Sequence, residues 1–413
     1  MAVRMVATRP NPALVTLPWQ SSLEDWGDDF VVPLPRGISR HVVRIVRLGA
    51  DVYAVKETRE AMAFREYRML RDLNRLGLPT VQPVAVICGR ESADGKEIEP
   101  ALVTRHLTYS LPYRSLFSHG LRSDSVPRLI DALAVLLVRL HLSGFFWGDV
   151  SLSNVLFRRS AGEFAAYLVD AETGELHPGL TEGQRNYDLT VGYENLYGEL
   201  LDLQAGELLD QHVDPEQTVE QIKTRYDALW QELTGTDEFT TNEMWRIEKR
   251  ISRLNDLGFD VDELDIVTDW DGSTVRLQPR VVEAGHHSRE LQGLTGLDVE
   301  DNQARRLLND LAAFTAHLGL GGEDRRIVAQ RWLTSVYEPI MRMVPARLRG
   351  KLEPAEIFHE LLEHRWYLSE RSGSEAGIVD AARSYIDDVL SQRPEELITA
   401  DDDPDLLMPR VRD

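Results

Sequence analysis

A polar loop held between an almost wholly apolar helix and a short strand constrains this fold more than any other stretch of the sequence. The helix is predicted over Leu129–Leu142, where apolar residues cover nearly every face. Such a helix is buried on most sides. The loop follows at 148–154 and leads into a predicted strand, Val155–Arg158. A loop, unlike one face of a helix, lets neighbouring polar side chains point at different partners, so this segment is the first candidate for a functional site.

The residues before the loop alternate strands with one helix. The run 42–57 predicts a β-hairpin that turns at Gly49, and Thr58–Leu76 carries an apolar stripe with helical spacing. Shorter strands are predicted at Val81–Cys88, Ala101–Thr104 and Tyr167–Val169. Strands, a helix, more strands and then a buried helix before the loop indicate a mixed α+β fold.

Charge divides the 413-residue chain near residue 180. Residues 1–180 hold 21 Lys plus Arg and 20 Asp plus Glu, whereas residues 181–413 hold 25 and 48. The acidic part predicts helices at 185–204, 219–233, 243–254, 299–318, 325–343, 354–369 and 375–390, with one hairpin turning at Asp271-Gly272. We therefore expect an N-terminal extension at 1–29, a first domain at 30–205, a mainly helical acidic domain at 206–395 and a disordered tail at 396–413.

Composition excludes several classes of protein. A single cysteine, Cys88, cannot form an internal disulfide. The apolar run at 129–142 is broken by Asp131 and Arg139 and is shorter than the roughly 20 apolar residues of a membrane span. The first residues lack the apolar core of a secretory signal, and a net charge of −22 opposes general binding to nucleic acid. We expect a cytoplasmic protein with no membrane span and no nucleic-acid partner.

Five residues of the first domain follow the order of a phosphoryl-transfer site. Asp149 and Asn154 lie five positions apart in the polar loop, and Asp170 ends the apolar strand that follows. Lys56 lies in the second strand of the early hairpin, and Glu66 lies on the helix after it. In protein kinases a lysine, a glutamate, an Asp-x4-Asn loop and a second aspartate occur in this order around ATP and its metal.

Each of these residues also has a purely structural interpretation. Lys56 is compatible with a lysine at a sheet edge, whose stem covers apolar surface. Asp149 and Asn154 are compatible with Asx turns in an ordinary loop. Glu60 is an alternative to Glu66 as the partner of Lys56. Either glutamate is also compatible with a solvated position on the helix surface. The order of all five residues between apolar strands favours the nucleotide site.

The motifs GDVSLSN at 148–154 and LVDAE at 168–172 resemble the protein-kinase-like superfamily, nearest to its lipopolysaccharide-kinase-like branch. The resemblance covers about residues 30–205 and implies a two-lobed domain, with an N-lobe at 30–106 and a C-lobe at 107–205. The acidic second half resembles a bacterial domain of unknown function that often follows such a kinase-like half. The family implies ATP and Mg²⁺ as cofactors and transfer of the γ-phosphate to a hydroxyl of a sugar, a lipid-linked sugar or another small molecule.

Residue by residue, the resemblance implies that Asp149 is catalytic and orients or deprotonates the acceptor hydroxyl. Asn154 and Asp170 would bind the metal. The backbone of Leu102–Leu107 would form the hinge that binds adenine, and a turn at 36–40 would cover the phosphates with its amides. The implied nucleotide-binding residues are Lys56, Glu66, Gly37, Ser39, Thr104 and His106.

The chain departs from protein kinases at several motif positions. Trp147-Gly148 replaces the His-Arg that precedes the catalytic aspartate, Ala171-Glu172 replaces Phe-Gly, and Ser151 replaces a phosphate-binding lysine. The turn at 36–40 holds one glycine. These departures favour a small-molecule acceptor. Two alternatives stay open: a pseudokinase or nucleotide-sensing scaffold that binds a partner protein through its acidic domain, and a protein kinase.

Two histidine motifs in the acidic half suggest a metal at first sight. For His286-His287, with Glu283 nearby, we expect a turn or a helix start, because adjacent side chains on regular structure diverge. His359 and His364 are five residues apart, which places them about 140° apart around a helix. A zinc-protease pair stands at i and i+4. An amphipathic core helix is the favoured interpretation of that segment.

Overall fold

The computed structural model describes residues 3–8, 11–27, 31, 42–49, 51–117, 125–240, 245–256, 259–268 and 274–394. The chain folds into two compact units. Of the described residues, those up to 158, those at 166–223 and residue 394 form the first unit, and those at 159–165 and 224–393 form the second.

The first unit begins with a five-stranded antiparallel sheet and one helix packed on it. Its elements are β1 (Arg4–Ala7), β2 (Val43–Leu48), β3 (Asp51–Glu57), α1 (Glu60–Arg75), β4 (Gln82–Cys88), β5 (Arg90–Glu91), β6 (Glu97–Ile98) and β7 (Ala101–Arg105). The strand order is β1-β4-β7-β3-β2, and β5 pairs with β6 as a small separate ribbon. The predicted hairpin forms β2 and β3, with Gly49 at φ 66° in its turn. Tyr67 on α1 packs against Val86 and Leu102 of the sheet.

The residues before the predicted kinase-like segment are part of this unit. Strand β1 pairs with β4 along the edge of the sheet. Leu14, Trp19 and Leu23 are buried in the core cluster on the sheet. Arg90, with no exposed surface, donates to the carbonyls of Trp19, Ser21 and Glu99. The sequence did not predict these contacts, because a four-residue strand is too short for its alternation to be recognised.

The rest of the first unit contains the apolar helix and the polar loop. Its elements are β8 (Ser110–Pro112), α2 (Tyr113–Phe117), α3 (Ser125–Leu142), β9 (Phe145–Phe146), β10 (Val155–Ser160), β11 (Glu163–Leu168), β12 (Glu175–Leu176), α4 (Glu182–Ala205) and α5 (Pro215–Thr234). Residues 159–165, where β10 ends and β11 begins, and the residues of α5 after 223 belong to the second unit. Helix α3 buries ten of its side chains, as its composition predicted. The loop after β9 contains one 3₁₀ turn, Leu152–Asn154, and β10 lies between β11 and β8 in a three-stranded sheet.

The second unit is mainly helical. Its elements are β13 (Asp237–Thr240), α6 (Trp245–Asp256), β14 (Phe259–Thr268), β15 (Thr274–Ala284), α7 (His286–Thr295), α8 (Asp301–His317), α9 (Arg325–Trp332), α10 (Glu338–Met343), α11 (Pro354–Ser372) and α12 (Ile378–Asp388). The predicted hairpin forms β14 and β15, and its turn at Asp271-Gly272 lies outside the described residues. Strand β13 adds a third strand that the sequence did not predict. The helix predicted at 325–343 is interrupted by a π-helical turn, Leu333–Tyr337.

The predicted fold class, mixed α and β followed by a mainly helical region, is confirmed. Aromatic side chains fill the core of the second unit, where Trp332, Tyr337 and Phe358 pack with ring centroids 5.1–6.0 Å apart. Among the described helices, none is both long enough and apolar enough to cross a membrane.

Candidate phosphoryl-transfer site

Lys56 lies at the centre of a cluster of three carboxylates. Its Nζ is 3.0 Å from Glu66 Oε2, 2.6 Å from Asp170 Oδ2 and 3.1 Å from Glu172 Oε2. An ammonium group has three N–H donors, so each donor has a carboxyl oxygen as its acceptor. Strand β3 positions the lysine, and α1 brings Glu66 over it. The rival glutamate, Glu60, instead lies 3.6 Å from Arg4 in an exposed pair.

The charges of this cluster are strongly coupled. Burial lowers the pKa of Lys56, but the Glu66 and Asp170 carboxylates outweigh burial and raise it above its ordinary value, so the lysine is protonated. Burial raises the pKa of Glu66 to about 8, and the charge of Asp170 adds to that shift while Lys56 opposes it. Glu66 therefore takes up a proton near neutral pH, which reduces the repulsion among the three carboxyl groups.

Two amide side chains orient Asp149 in the polar loop. The Nδ2 of Asn154 donates to the Asp149 carbonyl oxygen at 3.2 Å and lies 3.4 Å from Oδ2. The Nδ2 of Asn195, on α4, donates to Asp149 Oδ1 at 3.3 Å and to the Val150 carbonyl at 3.1 Å. The carboxylate is therefore held from both sides, and no pairing with a cation is seen for it in the described part of the chain.

A buried aspartate on α4 fixes the start of the loop. Asp188 has no exposed surface. Its Oδ2 accepts from the Trp147 N–H at 2.8 Å and lies 3.1 Å from His141 Nε2, and its Oδ1 accepts from the Gly148 N–H at 2.7 Å. Gly148 has φ 77°, a left-handed conformation that glycine adopts without strain. Asp188 thus sets the turn that presents Asp149.

A second acid on α4 supports the other end of the loop. The carboxylate of Glu199 accepts from the backbone N–H groups of Leu152 and Ser153, at 2.6 and 3.0 Å. Burial raises the pKa of Glu199, although these hydrogen bonds oppose the shift. Gly192 lies on the same face of the helix, and a Cβ there would come within 2.8 Å of Val150. Helix α4 therefore contacts the loop along its length.

Sequence reasoning missed Asp188, Asn195 and Glu199. A signal was present for Asp188, which shares the buried stripe of α4 with Gly192, Leu196 and Leu200. A carboxylate on an apolar stripe requires a partner elsewhere in the fold, because a buried charge without one is costly. The partners lie about 40 residues earlier in the chain, so the helix pattern alone could not name them.

The strand end that carries Asp170 is tied to the loop by backbone contacts. The Val169 N–H donates to the Asn154 carbonyl at 3.0 Å, and the Trp147 indole donates to the Asp170 carbonyl at 3.2 Å. The Glu172 N–H donates to Asp170 Oδ1 at 2.9 Å. Asn154 and Asp170, predicted as metal ligands, both offer oxygen atoms, and Glu172 lies beside Asp170. Oxygen donors are the set that Mg²⁺ prefers.

The predicted adenine contacts lie at the end of β7. Thr104 is in the central strand, opposite Ala54 on β3 and Pro83 on β4. The His106 N–H donates to the Val52 carbonyl at 2.9 Å, so this N–H belongs to the sheet. Burial lowers the pKa of the His106 ring to about 4, which keeps it neutral. Gly37 and Ser39, predicted to cover the phosphates, lie outside the described residues.

Two family models match separate parts of this chain. Residues 41–196 match a family model described as "Lipopolysaccharide kinase (Kdo/WaaP) family", and residues 228–390 match one described as "Domain of unknown function (DUF4032)". The predicted resemblance is confirmed. The kinase-like match supports an ATP-dependent kinase, as the sequence predicted.

Two curated proteins and one solved structure are similar to parts of this chain. Two curated proteins named 3-deoxy-D-manno-octulosonic acid kinase, from Xanthomonas oryzae pv. oryzae strains PXO99A and KACC10331 / KXO85, are each 28% identical over 203 residues. The match covers 48% of this chain and 74% of each relative. A solved structure described as "WaaP in complex with acyl carrier protein" has a TM-score of 0.34 and 16% identity, over 62% of this chain and 97% of that chain.

Proposed function

We propose that the protein transfers the γ-phosphate of ATP, with Mg²⁺, to a hydroxyl of a sugar, a lipid-linked sugar or a similar small molecule. The observation that carries this proposal is the pairing of the Lys56 ammonium with Glu66 and Asp170, beside a loop whose Asp149 is held by two amides. The curated relatives are named as sugar kinases, which supports a sugar acceptor. The departures from the protein-kinase motifs at Trp147-Gly148 and Ser151 support a small acceptor.

In this mechanism Asp149 accepts a hydrogen bond from the acceptor hydroxyl and takes its proton. The hydroxyl oxygen forms a bond to the γ-phosphorus, the bond from that phosphorus to the β–γ bridging oxygen breaks, and ADP leaves. Asn154 and Asp170 would hold Mg²⁺, which neutralises phosphate charge when bound. Lys56 would bind phosphate oxygens and exchange part of its carboxylate contacts for them. Asp188 holds the loop so that Asp149 needs little reorganisation during the reaction.

A thermal shift with ATP and Mg²⁺ tests the nucleotide site. At about 100 times its Kd, a ligand adds roughly 2.7 kcal/mol to the native state, so we expect a clear, Mg²⁺-dependent rise in Tm for the wild type. Lys56→Ala and Asp170→Ala should abolish that rise, each measured against its own nucleotide-free Tm. Lys96→Ala, which removes an exposed lysine, serves as the matched control and should keep the full shift.

Asp149→Asn separates catalysis from binding. This variant should keep the nucleotide shift and lose at least a hundredfold in ADP formation with a sugar acceptor, because a general base contributes about 10²–10⁴-fold. Unchanged turnover in this variant would show that Asp149 has no catalytic role. A nucleotide shift without ADP formation for any acceptor would favour the pseudokinase alternative, and the absence of any shift would refute the nucleotide site itself.

A further inference from the structure

Two histidines and a glutamate at the start of α7 form a second cluster of metal-ligating side chains, in the second unit. His286 and Glu290 stand at i and i+4, and His287 and Glu290 at i and i+3, so both pairs are neighbours on the helix surface. One ligand atom from each of the three residues lies within 4.8 Å of the other two. The two imidazole rings are 5.0 Å apart at 69°.

This arrangement corrects the expectation that the adjacent histidines diverge. His286 is the first residue of the helix and follows Gly285, whose φ of 84° is left-handed. A side chain in the first turn has no preceding turn to restrict its rotamer, so two consecutive residues can bring their rings together there. The helix start was predicted, but the convergence of the two rings was not.

Two other helices of the unit hold the cluster in place. The Ser288 N–H donates to Asp301 Oδ1 on α8 at 3.0 Å, and the Ser288 hydroxyl donates to the Gly285 carbonyl at 3.0 Å. Glu290 Oε1 lies 2.5 Å from Arg325 at the start of α9. These contacts fix the first turn of α7 and the direction of Glu290. Contacts with α8 and α9 therefore support the stretch of backbone that carries the three ligand atoms.

One ring nitrogen of a cluster residue is buried without a hydrogen-bond partner. Nε2 of His287 is buried and has no hydrogen-bond partner among the residues that the structure describes. Leaving a buried polar group unpaired costs about 1–3 kcal/mol, and such groups are few in native proteins. A ring nitrogen that accepts no hydrogen bond is available to coordinate a metal ion.

The donor set selects the class of metal. Two imidazole nitrogens and a carboxylate suit Zn²⁺ and similar transition ions, whereas Mg²⁺ and Ca²⁺ prefer oxygen ligands alone. The positive end of the helix dipole and the nearby Arg325 both repel cations. A hard ion, held mainly by charge, is therefore disfavoured relative to one that bonds strongly to imidazole.

From these observations we propose that His286, His287 and Glu290 bind a divalent transition ion of the zinc class. With metal–ligand distances of about 2.0–2.2 Å, tetrahedral coordination would bring the ligand atoms to about 3.4 Å from one another. From separations of at most 4.8 Å, this needs a contraction of no more than about 1.4 Å, which small side-chain rotations can supply. Three protein ligands leave a fourth position to water or to another ligand. This site is independent of the proposed kinase activity.

The test is zinc binding by the full chain, purified without a histidine tag and stripped with a chelator. Calorimetry with Zn²⁺, supported by elemental analysis after gel filtration, should give one ion per chain. His287→Ala and Glu290→Gln should each weaken zinc binding at least tenfold. His317→Ala, which removes an exposed histidine at the end of α8, is the matched control and should bind like the wild type.

Cobalt provides a readout that a merely structural role would not change. Co²⁺ bound by the wild type should show the visible absorption bands of a four-coordinate site, and His286→Asn should lose these bands while keeping its metal-free Tm. Zinc binding of equal strength in the wild type and in all three cluster variants would place the ion elsewhere and refute the proposal. So would the absence of stoichiometric binding in a wild type that is folded by circular dichroism.

Discussion

The two clusters of charged and ligating side chains in this molecule are built in opposite ways. In the first unit, Lys56 meets partners that lie 10, 114 and 116 residues along the chain. In the second unit, His286, His287 and Glu290 lie within one and a half turns of a single helix. The first cluster exists only when strand, helix and loop have all docked, whereas the ligand atoms of the second all come from one helix, whose first turn is supported by contacts with α8 and α9. Substitutions should therefore couple site and stability in the first unit and separate them in the second.

The largest effect on the free energy of unfolding is expected at Asp188. Asp188→Ala leaves the N–H groups of Trp147 and Gly148 without their acceptor in a fully buried position. Each of the two donors left unsatisfied costs about 1–3 kcal/mol. We expect a loss of that order in the free energy of unfolding, measured by urea denaturation, together with loss of kinase activity.

The control for Asp188 lies on the same helix. Asp202→Asn changes an exposed aspartate of α4, and its effect should stay within about 0.5 kcal/mol. If Asp188→Ala were as stable as this control, the loop would be positioned by other contacts, and the contrast between the two clusters would fail.

A smaller effect is expected from two glycines of α4 that differ only in their surroundings. At Gly192 a Cβ would lie 2.8 Å from the Val150 Cβ, whereas at Gly198 no atom lies within 4 Å. Gly192→Ala should cost about 1–3 kcal/mol through overpacking against the loop. Gly198→Ala should stabilise the helix by roughly 0.5–1 kcal/mol. Equal denaturation midpoints for the two variants would show that α4 does not press on the loop.

A separate effect is expected in the pH dependence of stability, through Glu66. Since burial raises the folded-state pKa of Glu66 to about 8, the folded protein binds a proton that the unfolded chain releases at a lower pH. The stability contributed by this group is therefore present below the unfolded pKa and is lost as the pH rises toward 8. We expect the Tm of the nucleotide-free wild type to fall between pH 5 and 8 relative to that of Glu66→Gln.

Glu60→Gln, on the same helix but exposed, should follow the wild-type pH profile. A Tm difference between the wild type and Glu66→Gln that stays constant with pH would mean that Glu66 is ionised throughout this range.

The sequence predicted those parts of the fold and site that depend on local pattern. The hairpin of β2 and β3, the buried helix α3 and most helices of the second unit follow from periodicity. Lys56 and Glu66 were named from their order in the chain, and the structure brings them together. Asp188, Asn195 and Glu199 were missed because their function is to meet a loop about 40 residues away. The helical period shows which face is buried, but not what that face contacts.

Strand β1 has a consequence for any shortened form of this protein. A fragment cut to the family match at 41–196 would lack β1 and uncover the backbone edge of β4. That strand reads QPVAVIC, and all its residues after Gln82 are buried and uncharged. An exposed, apolar, uncharged edge is a template for pairing between chains. We therefore expect the first residues of the chain to protect the sheet against self-association, and a fragment of the kinase-like half that lacks them to be less soluble.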